Sequence, residues 1–331
     1  MSSNRRPAVL LAMRPTVAEL ALPPDVRARL RASARLLYPV ADDFSRPEVR
    51  AALAEAEVLL TGWGVPLVDA RVLAAAPRLR AVLHAAGTVK KILAPEVWER
   101  GIAVSSAAPA NAGPVADYTV SVIRLAAKRA FSAAASYRAG YPRDLTTSAL
   151  TGAHGRTVGV VGASRTGRLV LDRLAGTGMR LLFHDPYATA VAGAQSRELD
   201  ELLAESDIVS LHAPLLPETR GLIDDRRLWL LRERAVLINT ARGALVDTGA
   251  LVRHCASGRI DAVLDVTDPE PLPPGHPLLS LPNVLVTPHI AGAMGTEMRL
   301  LGEFAVAELE RWAAGAPLLG AVRKGDLARI A

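Results

Sequence analysis

Short apolar runs alternate along this chain with longer stretches in which apolar residues recur every three or four positions. Residues 7–13 (PAVLLAM), 57–60, 81–85 and 102–105 are continuous enough to predict buried strands. Between them, Val26, Leu30 and Ala34 mark one face of a helix over 23–37, and helices are predicted at 67–76 and 95–100. A long helix is predicted over 111–130, with Asn111 as its cap and Pro114 in its first turn. Residues 139–156, rich in Gly, Thr, Ser and Arg, read as a connecting segment. The alternation then resumes, with strands at 157–161, 179–183, 207–211, 235–239, 260–265 and 284–287. Helices are expected near 199–205, 224–231 and 247–257, and a last amphipathic helix over 297–314. Such alternation predicts two successive α/β units, each a parallel sheet with helices on both faces. Ligands in these sheets sit beyond the carboxyl ends of the strands.

The sharpest local feature is Thr157–Asp185. A β-branched strand turns through Gly162-Ala163-Ser164-Arg165-Thr166-Gly167 into a helix carrying Leu169, Leu171 and Leu174, and a second strand ends just before Asp185. This is the strand–turn–helix context of a dinucleotide fingerprint, with Ser164 in place of the middle glycine. Free amides at the helix start hold a pyrophosphate, and Asp185 accepts hydrogen bonds from a ribose 2′-OH. A serine narrows the approach to the pyrophosphate, but its hydroxyl can donate to a phosphate oxygen. Pro186-Tyr187 follow Asp185 where an arginine would serve a 2′-phosphate, so NAD is favoured over NADP. His212, ending the strand at 207–211, is expected beside the cofactor.

Composition narrows the classes. A length of 331 residues implies about two domains, and 50% hydrophobic residues are ample for two cores. The net charge of +6 is mostly arginine scattered among acids, with no dense basic run, which excludes a nucleic-acid groove. No apolar run is long enough to cross a membrane. The apolar stretch after Arg5-Arg6 breaks at Arg14-Pro15 and reads as a first strand rather than a secretion signal, so a cytoplasmic location is expected. The single cysteine, Cys255, allows no intrachain disulfide, and no Cys/His spacing predicts a metal site.

Three later strand ends carry polar residues suited to chemistry. Residues 235–239 lead into Thr240-Ala241-Arg242-Gly243, residues 260–265 into a proline-rich loop holding Glu270, and residues 284–287 into Pro288-His289. In a parallel sheet, Arg242, Glu270 and His289 converge at the same edge as the glycine turn. An arginine fork suits a carboxylate, and a histidine paired with a carboxylate is an acid–base unit. Beside a nicotinamide, this set moves a hydride and a proton to and from a 2-hydroxy acid. Gly62–Gly64 and Ala86–Gly87 are candidate walls for that substrate.

These segments resemble the D-isomer-specific 2-hydroxyacid dehydrogenases. The similarity lies in Val158–Gly167, Ser206–Leu222, Leu237–Asp247, Leu264–Leu272 and Thr287–Ala293, in order, and is fainter before residue 100. It implies Arg242, Glu270 and His289 as catalytic residues, Asp265 at the nicotinamide carboxamide, and Thr240 and Ala241 along that ring. It also implies Ala213 and Pro214 on the adenosine side and backbone at Ala86-Gly87 holding the substrate carboxylate. The implied architecture is two Rossmann- or flavodoxin-like doubly wound domains with a cleft between them. Residues 1–112 plus 300–331 would bind substrate and 113–299 NAD, in a homodimer. Departures from the family pattern are Ser164 and Asp117, the latter where glutamate is usual. The modest stretch after the last helix leads away from the allosterically controlled phosphoglycerate dehydrogenase type. The expected activity is NAD-dependent interconversion of a 2-oxo acid and a D-2-hydroxy acid. The alternative is a non-catalytic NAD-sensing, corepressor-like protein on the same fold.

Overall fold

The computed structural model of the chain describes residues 6–140 and 151–328, so residues 141–150 of the expected connecting segment lie outside the described residues. Two compact units emerge, one formed by residues up to Asn111 together with those from Ala293 onward, the other by Ala112–Gly292. The return crossing therefore comes before the last helix rather than at 299/300. Ala293 and Met298 are already buried in the N-terminal unit's core.

In the N-terminal unit the order is β1 (Ala8–Ala12), α1 (Pro15–Ala21), α2 (Pro24–Ser33), β2 (Arg35–Leu36), α3 (Pro47–Glu55), β3 (Val58–Thr61), α4 (Ala70–Ala75), β4 (Ala81–His84), α5 (Glu96–Glu99) and β5 (Ala103–Ser106). The strands form a parallel sheet in the order β2-β1-β3-β4-β5. Proline opens α1, α2 and α3, where its missing N–H costs nothing. The single helix expected over 23–37 stops at Ser33. Arg35 N–H donates to Pro7 O and Leu37 N–H to Val9 O, which makes the next residues the edge strand β2. Helices α1 and α3 were not anticipated.

The C-terminal unit follows with α6 (Ala108–Ala127), which crosses into it, α7 (Ala130–Arg138), β6 (Thr157–Val161), α8 (Arg165–Leu174), β7 (Arg180–His184), β8 (Gln195–Ser196), α9 (Leu199–Glu205), β9 (Ile208–Leu211), α10 (Asp225–Leu230), β10 (Val236–Asn239), α11 (Thr248–Ala256), β11 (Asp261–Leu264) and β12 (Val284–Val286). Its seven strands are parallel in the order β12-β11-β10-β9-β6-β7-β8. That is the dinucleotide-fold order with one further strand, and it reverses between β6 and β9. Helix α6 begins three residues before the expected start, so Asn111 is no cap and Pro114 lies inside the helix. The Asn111 side chain instead accepts from Ala293 N at 2.8 Å, within the N-terminal unit.

The last helix, α12 (Met298–Ala313), buries Leu301, Ala305, Val306 and Leu309 against α1, α2 and one face of β1, β3 and β4. The approach is close: a Cβ on Gly302 would lie 1.7 Å from Ala21 O. In the C-terminal unit, Val170, Leu171 and Leu174 of α8 pack with Val158, Val160 and Phe183 on the sheet. Each such fully buried side chain contributes roughly 1.5–3 kcal/mol. Among the described residues no helix is long and apolar enough to cross a membrane.

Candidate active site

The glycine turn sits at the strand-order reversal. Gly162 has φ +98°, and a Cβ there would lie 2.6 Å from Ala213 N. A Cβ on Gly167 would lie 2.1 Å from Gly162 O. Both glycines are therefore required: the first for the turn, the second for helix α8 to start against the strand. Ser164 has φ −60° and ψ 174°, open to any residue, and its Oγ accepts from Gly167 N at 3.3 Å as the helix cap. Arg165 and Thr166, in the first turn of α8, complete the loop.

Asp185 lies just past β7. Its Oδ2 accepts from Ala163 N at 2.7 Å and its Oδ1 from Tyr187 N at 2.8 Å. Each carboxylate oxygen retains acceptor capacity for a ribose hydroxyl, and its charge opposes a 2′-phosphate. The turn, the helix start and this carboxylate fit NAD. His212 follows β9 and is buried, with Nε2 2.8 Å from Ser210 Oγ. Burial lowers its pKa to about 4, so the ring is neutral. The His212–Ala213 backbone is what crowds Gly162, which sets Ala213 beside the glycine turn, with Pro214 next in the chain.

At the ends of β10, β11 and β12 stand the expected chemical residues. Arg242 is half-buried, and its Nη1 donates to Ala241 O at 2.6 Å. Burial pulls its pKa down while the charge of Glu270 pushes it up, which couples these two groups electrostatically. Asn239 brackets the turn: its Nδ2 donates to Arg242 O at 2.8 Å and its Oδ1 accepts from Ala241 N at 3.0 Å. Glu270 Oε1 meets His289 Nδ1 at 2.5 Å, with both side chains roughly half exposed. His289 itself is left-handed, with φ +55°. Its backbone N–H donates to Asp265 O at 2.9 Å.

Asp265 is buried beneath this turn. Its Oδ1 accepts from Thr287 Oγ1 at 2.6 Å and from Ile290 N at 2.8 Å, and its Oδ2 from Ala291 N at 2.8 Å. The residue assigned to the cofactor by resemblance thus also anchors the histidine turn. Sequence reasoning passed over Asn239, Tyr118, Thr119 and Thr287. An asparagine ending a β-branched strand was a usable signal. Nothing local marks Tyr118, whose hydroxyl lies 2.8 Å from Thr287 Oγ1 across 169 positions.

In the N-terminal unit, Ala86 and Gly87 follow β4, and Ala86 O accepts from Ala107 N at 3.0 Å. A Cβ on Gly87 would meet only Asn111 Nδ2, at 3.7 Å. His84, at the end of β4, is buried with Nδ1 2.9 Å from Thr61 Oγ1, and burial lowers its pKa to about 4. Trp63 is exposed past β3. Among the described residues no group of three His, Cys, Asp or Glu side chains is placed to hold a metal.

The family model described as D-isomer specific 2-hydroxyacid dehydrogenase, NAD binding domain, matches residues 120–291. The glyoxylate reductase of Thermofilum pendens is 38% identical over 251 residues, 73% of this chain and 74% of that protein. The D-3-phosphoglycerate dehydrogenase of Mycobacterium leprae is 37% identical over 257 residues, 76% of this chain but 48% of that protein. Among solved structures, the apo D-mandelate dehydrogenase of Rhodotorula graminis shares the fold with a TM-score of 0.81, covering 97% of this chain and 98% of that one at 24% identity.

Proposed function

This chain belongs to the D-isomer specific 2-hydroxyacid dehydrogenases and carries their NAD-binding domain, and from that premise we propose that Arg242, Glu270 and His289 interconvert a 2-oxo acid and a D-2-hydroxy acid. The observation that supports this reading most is the 2.5 Å contact between His289 Nδ1 and Glu270 Oε1. With Nδ1 turned to the carboxylate, Nε2 is left to exchange a proton with the substrate oxygen.

NAD, when bound, carries the hydride. The turn Gly162–Gly167 would cradle its pyrophosphate with the amides of Ser164, Arg165 and Thr166, since those of Gly162, Ala163 and Gly167 donate to His184 O, Asp185 Oδ2 and Ser164 Oγ, and Asp185 would hold a ribose hydroxyl. His212, Ala213 and Pro214 would flank the adenosine side, and Thr240, Ala241 and Asp265 the nicotinamide. In reduction, Arg242 grips the substrate carboxylate and polarises the carbonyl. Protonated His289 gives its Nε2 proton to the carbonyl oxygen, and Glu270 holds the imidazolium in place. In oxidation, neutral His289 takes the hydroxyl proton back. Backbone at Ala86-Gly87 is the proposed second contact to the carboxylate, and the proposed assembly is a homodimer.

The test is NADH oxidation against glyoxylate, pyruvate, hydroxypyruvate, phenylpyruvate and branched 2-oxo acids, with NADPH in parallel. At least one acid is expected to turn over with NADH. Arg242→Ala and His289→Ala are expected to abolish turnover while binding NADH nearly as wild type. Near-normal turnover in either variant defeats the assignment.

A further inference from the structure

Tyr118 and Thr119 are neighbours on α6, yet they reach different loops of the C-terminal unit. Tyr118 Oη lies 2.8 Å from Thr287 Oγ1, and Thr119 Oγ1 lies 2.9 Å from Thr240 Oγ1. The protons on these hydroxyls can be assigned. Thr287 spends its single proton on Asp265 Oδ1 at 2.6 Å, so it accepts from Tyr118. Thr119 spends its proton on Val115 O at 2.7 Å, so it accepts from Thr240. Two polarised chains result. One runs from Tyr118 through Thr287 to Asp265, the residue that also accepts from Ile290 N and Ala291 N and whose carbonyl accepts from His289 N. The other runs from Thr240, two residues before Arg242, through Thr119 to the α6 backbone.

The same helix is fastened to the dinucleotide side. Arg173 of α8 donates to Gly113 O at 2.7 Å and pairs with Asp117 at 3.2 Å. Helix α6 is thus tied to the helix that starts at the glycine turn, to the Arg242 turn and to the His289 turn. His289 needs such bracing, because a left-handed histidine persists only where its surroundings over-determine it. Burial raises the Tyr118 phenol above its usual range, against the bond to Thr287 and together with the charge of Asp265, so it remains a donor.

We propose that Tyr118 and Thr119 are positioning residues for the reaction, Tyr118 fixing the His289 turn through Thr287 and Asp265, and Thr119 fixing the Arg242 turn through Thr240. The inference rests on the assignment of Arg242 and His289 made above. It separates two kinetic effects. Tyr118→Phe removes the donor to Thr287 and releases the acid–base residue, so kcat falls about tenfold with KM little changed. The kcat–pH profile also moves. The titratable or charged groups around that turn are Glu270 on the imidazole, Asp265 beneath the backbone, Tyr118 beyond Thr287, and Arg242 in the field of Glu270. Thr119→Val releases the carboxylate-gripping arginine, so KM for the 2-oxo acid rises about tenfold while kcat changes less.

The experiment measures kcat, KM, the pH profile and NADH affinity for both variants, for Thr119→Ser, for Thr287→Val and for the Tyr118→Phe/Thr287→Val double variant. Thr119→Ser is expected to restore wild-type KM, and the double variant to lose no more than Thr287→Val alone. A wild-type KM and pH profile in both variants, with turnover reduced only in step with the folded fraction, would overturn the proposal. His289→Ala is run in the same assay. Turnover retained there sinks the assignment of the chemistry itself, whereas a dead His289→Ala beside an unchanged Tyr118→Phe sinks only this inference.

Discussion

Gly243 follows the proposed substrate-binding arginine and has no room for a side chain. A Cβ there would lie 2.0 Å from Thr267 C and O, so the Arg242 turn is packed directly on the loop that carries Glu270. Gly243→Ala is expected to push Thr267 and Asp268 aside, costing roughly 1–3 kcal/mol of stability and about tenfold or more in kcat. Thermal unfolding and steady-state kinetics on the same preparation check both. Gly87 is the contrast. Its nearest neighbour would be 3.7 Å from a new Cβ, an ordinary contact. Gly87→Ala is expected to leave the melting temperature unchanged and to alter KM, if backbone at Ala86-Gly87 meets the substrate; an unchanged KM removes that contact from the site. Residue types at strand ends were legible in the sequence, and Arg242, Glu270 and His289 were singled out that way as candidates. The reasons those residues hold still were not legible. Gly243 answers to Thr267 and His289 to Asp265, each about two dozen positions away, and Tyr118 to Thr287 much farther off.

Elements were readable where one rule governed them. Buried parallel strands are continuous apolar runs, so every strand longer than two residues was anticipated, with ends shifted by a residue or so. The limits of α5, α9, α10, α11 and α12 also fell within a residue of expectation, but those of α2 and α6 did not, because tertiary bonds decide them. The pattern over 23–37 continues past Ser33, but β1 offers backbone partners that make Arg35–Leu36 a strand. The cap expected at Asn111 failed similarly, since that side chain is taken by Ala293. Ser164 behaves as a helix-capping residue should, and its backbone explains why the middle glycine is dispensable here. Ser164→Ala is expected to cost about 1 kcal/mol and Ser164→Gly only a few tenths. Denaturant midpoints of the two variants, measured without NAD, give the comparison; an equal loss in both would show that the hydroxyl is no cap.

Across the molecule, burial lowers the pKa of His84 in the first unit and of His212 in the second to about 4, and also lowers that of His254, which the second unit buries as well. Between pH 6.5 and 4 the unfolded chain binds protons at His84 and His212 and the folded chain does not. Stability therefore rises with pH across that window and is withdrawn on acidification, by up to roughly 3 kcal/mol for each of these two histidines. The melting temperature is expected to fall steadily from pH 6.5 to pH 5, and less steeply in His212→Asn; a flat profile in the parent protein would contradict it. NADH is expected to slow hydrogen exchange in β6 and β9 more than in β1 and β3, because ligand binding protects the region it holds. That the chain forms two α/β units was legible from its alternation. The early return at Ala293 was not, since only packing against residues near the other end of the chain decides it.

That return has a consequence for synthesis. The face of β1, β3 and β4 that α12 covers, with Val17, Ala18 and Ala21 of α1 beside it, is translated before the whole C-terminal unit, and its cover only after that unit. At ribosomal speeds the stretch between Asn111 and Met298 takes roughly ten to forty seconds to appear. For that interval the nascent N-terminal sheet carries a bare apolar face on the ribosome, which chaperones that bind exposed apolar surface would shield. The sheet that emerges before the C-terminal unit is completed only after it.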